Sequence, residues 1–508
     1  MNSEFHNRPT VDWVIFAPTL ALVLIISAML LVYGQDAADA TQSAMRFVTS
    51  HFGWLFLSAG LASVGFAIWL AFGPYGHVRF GPDDEPPEFS TPSWVAMMFT
   101  AGIGASLVAW GFAEPIFYLA TPPLGIEPHS DRAIEWAHVY PLFHWGLVPW
   151  AMYAIPAVPV AYMLFVERRP YLRVSESCDA ALPNAFRNAT GRTIDLLIVI
   201  GILGGAATSL GVGVPLVAAF VAKLFGIDDT LGLKALVLVA WTLLFGTSCY
   251  RGLKGGIKLL ADFNMLLAIV MIVFVLLVGP TLFILSLTTN SVGLLLDHFF
   301  HMALYTDPVT QSGFPEAWTV FYWAWWLAYA PMMGLFFGRI SRGRTVRQVI
   351  LGIIGFGSLG TCAYLAIAGG YSLHLQTVVG LDIAATIASD GMSAMVAQVI
   401  STLPLAPLTL GAFTLLSLVF YATCLDSAAY ILAAICTRNL RADQEPARAN
   451  RLIWAAALAL IAGGVLTVGG LDAVKTGTIL SALPLIPVLG LMCLSVVRRF
   501  RRDHSKLA

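Results

Sequence analysis

Residues 321–348 read FYWAWWLAYAPMMGLFFGRISRGRTVRQ. Phe321 to Gly338 carry no charge, and the ten positions that follow hold four arginines. An uncharged run of this length crosses the hydrocarbon core of a bilayer as one helix. The basic cluster that closes it marks a cytoplasmic interface. Trp318, Tyr322, Trp325 and Tyr329 recur at +4, +3 and +4, which puts them on one helical face, and Trp326 lies beside them.

The composition extends this reading to the whole chain. Of 508 residues, 58% are hydrophobic and only 11% charged, against about 25% charged in a soluble domain. The surface must therefore face lipid. Only helices or closed barrels span lipid, and no ten-residue alternation is present, so the fold class is an all-α polytopic membrane protein. The 28 basic and 29 acidic residues leave a net charge of −1, with no excess that points to nucleic acid. Six cysteines lack metal-ligand spacing and read as small buried hydrophobes.

Twelve apolar runs are predicted to cross the membrane: 13–33, 52–73, 93–120, 138–166, 193–221, 232–250, 256–288, 317–338, 349–372, 406–436, 452–470 and 477–497. The first is too long, and too weakly basic at its front, for a cleaved signal peptide. With the N-terminus inside, 23 lysines and arginines fall on the cytoplasmic side and five outside, as the positive-inside rule requires. Both termini are thus expected in the cytoplasm. Residues 289–316 and 373–405 read as outer connections, with a surface helix at Ile383–Ile400. Residues 498–508 read as a short basic tail lying beside anionic lipid.

Charges within spans are functional suspects. Glu114, Asp262 and Asp426 read either as interhelical hydrogen bonds or as proton or cation sites. His144 reads as structural or as a proton site. Thr100-Ala101-Gly102-Ile103-Gly104-Ala105-Ser106 places small residues in span 3. It is either a close-packing seam or an unwound segment that offers backbone groups to a ligand. Pro331 and Gly334 predict a second interruption, in span 8. Trp145, Trp150 and Tyr153 of span 4 add aromatics too deep for an interfacial belt. Such rings are either core packing or a cage. A cage of aromatic faces suits a quaternary ammonium, held by cation–π attraction, and a zwitterion would bring its own counter-charge to the freed N–H groups of span 3.

Interruptions in spans 3 and 8 lie five spans apart, so spans 3–7 (93–288) and 8–12 (317–497) form two inverted repeats. Residues 1–92, with two extra helices, precede them. This is the layout of secondary transporters with a midplane site.

At this point the chain resembles the betaine/carnitine/choline transporter family over nearly its whole length. The likeness rests on AGIGASLVAWGFAEP (101–115), HWGLVPWAMYA (144–154), residues 321–348 and YATCLDSAAY (421–430). It implies the inverted-repeat fold, a homotrimer in the plasma (inner) membrane, and a cage of Trp145, Trp150, Tyr153, Trp325, Trp326 and Tyr329. It further implies a carnitine-type Met333 that stands in for a cation, and Trp318 as an aromatic of the outer approach. Gly102 and Gly104 would offer backbone to the substrate. Ser106 stands where choline-accepting members tend to carry aspartate, which favours substrates with their own carboxylate.

For coupling, the likeness implies a sodium site of the Thr423 hydroxyl and main-chain oxygens of Thr100, Ile103 and Phe420, with Cys424 a poor ligand for a hard cation. Ile202 and Ala206 lack the hydroxyls of the second sodium site. Asn264 stands where sodium-independent antiporters carry arginine. The expected function is cation-coupled symport of carnitine, a betaine or dimethylsulfoniopropionate. The alternatives are substrate:product antiport or choline transport. An enzyme using Glu114, His144 or Asp426 would need converging titratable groups, and these three are expected at different depths. A receptor-like osmosensor would carry a long charged tail.

Overall fold

The computed structural model describes the chain apart from residues 1–8, 103–105, 170, 172, 252–256, 442–443, 469–470 and 505–508. Helix α1 (Trp13–Tyr33) turns at Gly34, whose φ of 48° is open to glycine, directly into α2 (Gln35–Phe72). There follow α3 (Thr91–Gly102), α4 (Ser106–Ala120), α5 (Asp131–His144), α6 (Leu147–Phe165) and the single turn α7 (Val174–Ser177). Then come α8 (Arg187–Phe225), α9 (Leu231–Arg251), α10 (Ile257–Val278) and α11 (Thr281–Leu304). A π-helical turn, Pro315–Val320, leads into α12 (Phe321–Arg339). The chain closes with α13 (Val346–His374), α14 (Ile383–Ser401), α15 (Ala406–Ile435), α16 (Arg448–Val468), α17 (Leu471–Ala482) and α18 (Leu485–Asp503).

Among the described residues, ten helices are long and apolar enough to cross a membrane, or eleven if the 44° bend between α17 and α18 lies within one span. The chain is therefore an all-α polytopic membrane protein. The match to the twelve expected runs is uneven. Expected span 3 is helical on either side of residues 103–105, as α3 and α4, and the run 256–288 stops at Val278. The supposed outer connection 289–316 is largely helical. After Gly279–Pro280, α11 runs 24 residues, few of them buried. Its apolar residues are diluted by Thr288, Thr289, Asn290, Asp297 and His298, so hydropathy alone read a loop. The expected surface helix at Ile383–Ile400 is helical, as α14, with non-helical backbone at Gly391 (φ 85°) and Met395, Val396, Val399 and Ile400 buried, but it is one of the ten helices apolar enough to cross a membrane.

The expected interruption of span 8 is corrected: α12 runs through Pro331 and Gly334 without a break. A proline removes a single N–H donor, and here close packing holds the helix on either side. A Cβ at Gly334 would lie 2.6 Å from Pro156 Cβ, and one at Gly338 would lie 2.8 Å from Val160 Cγ1. The two glycines form a seam that seats α12 directly on α6. An unforeseen break lies between α5 and α6, at Trp145–Gly146. Neighbouring α13 completes it: Thr361 Oγ1 donates to the Trp145 carbonyl at 2.6 Å, and Cys362 Sγ to that of Leu142 at 3.5 Å.

The arginine-rich face is tied together by ion pairs. Strand β1 (Thr10–Val11) pairs antiparallel with β2 (Thr437–Arg438). Arg499 is 0% accessible and donates to the Glu176 carbonyl (3.0 Å) and Asp179 Oδ1 (2.5 Å). Arg498 bonds the Ala180 and Ala181 carbonyls, and Arg502 bonds Glu167. The lipid-anchor reading is thus corrected for Arg499, which is buried on protein groups as α18 continues to Asp503, while Arg498 and Arg502 remain exposed. Lys506 lies outside the described residues.

Asp12, before α1, accepts from Arg438 at Oδ1 and Arg173 at Oδ2, both at 2.8 Å, with 2% of its side chain accessible. Burial pushes its carboxyl up, but the two guanidiniums more than offset this and hold it at about 2, below the usual 3.8. A lowered pKa contributes stability at pH values above the unfolded one, and that stability is lost as pH falls through the folded one. Asp12→Asn should therefore melt below wild type in detergent at about pH 5, with the gap closing between about pH 4 and 2. A gap unchanged down to about pH 2 would show that the charge on Asp12 is irrelevant.

Candidate functional site

The seam between α6 and α12 brings together the aromatic residues of both helices. Trp326 is the hub. Its ring centroid lies 4.6 Å from Tyr153, 5.6 Å from Trp145 and 5.8 Å from Trp150. Trp325 meets Trp145 edge-on at 5.9 Å. All five rings are buried, and the indole N–H groups of Trp325 and Trp326 have no hydrogen-bond partner among the described residues. Five of the six expected cage residues are therefore one cluster.

Trp145 and Trp150 are fixed from behind by hydrogen bonds. The break at Trp145–Gly146 turns the Trp145 indole so that its N–H donates to Glu114 Oε2 at 2.9 Å. Trp150 donates to Thr361 Oγ1 at 3.2 Å and lies flat on Gly357, where a Cβ would fall 2.2 Å from the ring. Tyr329, the sixth expected residue, sits at the cluster's edge. Its hydroxyl is 3.1 Å from Ser209 Oγ, its ring covers Gly205, and Cys424 lies beside it. Met333 is buried one turn further along the same face of α12.

Behind the rings lies a polar knot that the sequence did not disclose. Glu114 Oε1 accepts from Tyr118 at 2.6 Å and meets His144 Nδ1 at 3.1 Å, while Oε2 accepts from Trp145 and from Tyr322, the latter at 2.7 Å. His144 Nε2 is 3.1 Å from Thr319 Oγ1. Every member is buried. The expectation that Glu114 and His144 lie at different depths is wrong: residues 30 apart in sequence meet because the α5–α6 break folds His144 toward α4. Spacing alone carries no sign of this.

Ser106 is buried beside Tyr421 at the start of α4. The segment 103–105, including Ile103 and Gly104, lies outside the described residues, as do the side-chain surroundings of Thr100 and Gly102. The expected unwinding of span 3 falls on that segment. Of the expected ion ligands, Thr423 Oγ1 is 2.9 Å from the Phe420 carbonyl oxygen and 3.0 Å from that of Val419. Both are bonds that the threonine hydroxyl donates back to its own helix turn. Cys424 is instead turned to Tyr329. Asn264 is buried against α15, its amide oriented to pair with the Leu416 carbonyl and the Phe420 N–H at 3.3 Å each. No group of three or more His, Cys, Asp or Glu side chains placed to hold a metal ion occurs among the described residues.

Trp318 is buried among Trp110, Phe117 and Tyr118, two turns from Trp325 on the same face. Lys475, assigned by sequence to an outer loop, covers its ring with Nζ 3.6 Å from the centroid.

The arrangement is a buried, neutral-walled aromatic cluster inside a helical membrane bundle, suited to a cation that brings no proton. The family profile described as BCCT, betaine/carnitine/choline family transporter, matches residues 14–505, nearly the whole chain. With that match and a bundle of membrane-spanning helices around a box of indoles, the chain belongs to the betaine/carnitine/choline transporter family, whose members carry betaine-, carnitine- or choline-like compounds.

Proposed function

We propose that this protein is a secondary active transporter of a zwitterionic quaternary ammonium or sulfonium compound: carnitine, a betaine or dimethylsulfoniopropionate. The observation that carries the reading is the convergence of Trp326 of α12 with Trp150 and Tyr153 of α6 and with Trp145 of the α5–α6 break, four ring faces in one cluster. A permanent cation among these faces gains ~0.5–2 kcal/mol per ring, according to desolvation. A trimethylammonium and a dimethylsulfonium satisfy the box alike. Ser106 adds no charge near the site, which supports a substrate that carries its own carboxylate over choline. The indole N–H groups of Trp325 and Trp326, without a partner among the described residues, and the backbone of Gly102 and Gly104 are the proposed donors for that carboxylate. Met333 and Tyr329 close the box along α12.

Transport proceeds by alternating access, with the two five-helix repeats exposing the box to each side in turn. Coupling is to a cation, with the Thr423 hydroxyl and the carbonyls of Phe420, Thr100 and Ile103 as the set that would hold sodium. A bound ion would supply the positive charge that locks α3 against α15. Substrate:product antiport is the second reading. It is favoured by Cys424 facing Tyr329 and by the all-carbon side chains of Ile202 and Ala206. The protein is proposed to work as a homotrimer in the cell inner membrane, with both termini cytoplasmic.

Uptake of labelled carnitine, glycine betaine and dimethylsulfoniopropionate into proteoliposomes tests this reading, once with an inward sodium gradient and once in potassium. Sodium-driven accumulation of at least one of them is expected. Sodium-blind uptake that rises only with preloaded substrate would establish antiport. Movement of none under either condition would reject the onium reading.

A further inference from the structure

The aromatic cluster extends beyond the box. Tyr322 meets Trp145 at 5.7 Å, Trp110 meets Tyr322 at 5.9 Å, and Trp318 meets Trp110 at 5.9 Å. A ladder of rings thus runs along α12 from the Trp326 box to the π-helical turn at its N-terminal end. At the last rung the ring face already carries a cation. Lys475 Nζ lies 3.6 Å from the Trp318 centroid and 5.1 Å from that of Phe321, and it donates to the Ala317 carbonyl at 2.9 Å. Only 4% of Lys475 is accessible. An ammonium withdrawn from water and centred on an indole makes the strong form of the cation–π contact.

A lysine in this place carries the same charge as the onium ligand, on the same kind of ring. It is anchored to α17, whereas Trp318 and Ala317 belong to the turn before α12. We propose that Lys475 is a tethered competitor: its ammonium occupies the Trp318 face, and an onium substrate must displace it to use this rung of the ladder. Ligand affinity at this end is thereby set by an exchange of one cation for another, and a substrate is not retained on the ladder outside the box. The inference rests on the onium reading above.

The test is binding of tetramethylammonium, glycine betaine and carnitine to the purified full-length protein in detergent, for wild type, Lys475→Ala, Lys475→Arg, Trp318→Leu and the Lys475→Ala/Trp318→Leu double variant. Lys475→Ala should tighten onium binding by about three- to tenfold, and Lys475→Arg, which keeps a cation on the ring, should stay near wild type. In the Trp318→Leu background the alanine should change nothing, because the face in dispute is gone. Lys475→Met keeps the packing and should shift binding in the same direction if alanine lowers the melting temperature. Unchanged or weaker binding in both Lys475→Ala and Lys475→Met overturns the proposal, as does an equal gain without Trp318. Wild-type binding without the gain defeats this inference alone. Absence of onium binding in every variant defeats the onium reading together with it.

Discussion

Replacing Trp326 with leucine is expected to weaken onium binding at least about thirtyfold while leaving the fold intact. Trp326 touches three other rings of the box, with centroids at 4.6, 5.6 and 5.8 Å. No other indole on α12 does so. Leucine restores much of the apolar contact with Tyr153 and Trp150 but removes the π face. A desolvated cation–π contact is worth about 2 kcal/mol or more, and every 1.4 kcal/mol is about tenfold in dissociation constant. Trp326→Tyr, which keeps a smaller face, should fall between. The loss should show in the dissociation constant with little change in melting temperature, because no buried donor is newly orphaned: the Trp326 N–H has no partner among the described residues to begin with. Wild-type affinity in Trp326→Leu would remove the box from the binding site.

What the sequence disclosed and what it hid follow from how far each feature reaches along the chain. A membrane span is a property of about 20 consecutive residues, so hydropathy places α1 and α15 almost to the residue, and α8 and α16 with edges a few positions off. The shared face of Trp318, Tyr322, Trp325 and Tyr329 is equally local, a matter of helical period. The box itself is not local: α6 and α12 meet over Gly334 and Gly338, and nothing at those positions names Pro156 and Val160 as the surfaces they fit. Gly334 with Pro331 looked like a break because both residues weaken a helix in isolation. Their contribution is instead a close approach between helices.

The true break, at Trp145–Gly146, went unread for the converse reason. It lies inside an apolar run where Pro149, four residues on, has no N–H for the Trp145 carbonyl, and the groups that satisfy the freed carbonyls, Thr361 and Cys362, are more than 200 residues away. The contact of Lys475 with Trp318 went unread because a count of charges assigns a residue to a side of the membrane, not to a ring. Glu114 was correctly singled out as costly. Its partners come from α4, α5, α12 and the α5–α6 break, and no spacing rule joins those.

The Glu114 knot supplies the largest expected effect on the protein's integrity. In Glu114→Ala, the Tyr118 hydroxyl can turn to His144 Nδ1, 2.9 Å away, and keep a partner. The Trp145 N–H and the Tyr322 hydroxyl both bond Oε2 and would be left without their acceptor. A buried donor left unsatisfied costs about 1–3 kcal/mol, so two cost about 2–6 kcal/mol, a large share of a typical folding free energy. The alanine variant should therefore express poorly or melt far below wild type. Its released Trp145 indole should also disorder the box, because that N–H contact sets the ring's orientation against Trp325 and Trp326.

Glutamine separates the two effects. With its carbonyl oxygen at the Oε2 position it still accepts from Trp145 and Tyr322. Its amide nitrogen can donate to the Tyr118 hydroxyl and to His144 Nδ1, provided the imidazole carries its proton on Nε2 toward Thr319. Glu114→Gln should then melt near wild type. If the carboxylate's charge also reaches the box through the Trp145 indole, onium affinity in Glu114→Gln should drop several-fold, and a ligand of the same shape without the positive charge should bind the two proteins alike. Equal onium affinity at an unchanged melting temperature would reduce Glu114 to a positioning residue that holds Trp145 in place. A collapse of Glu114→Gln to the level of alanine would show that four donors converge on this carboxylate and that no amide can replace it.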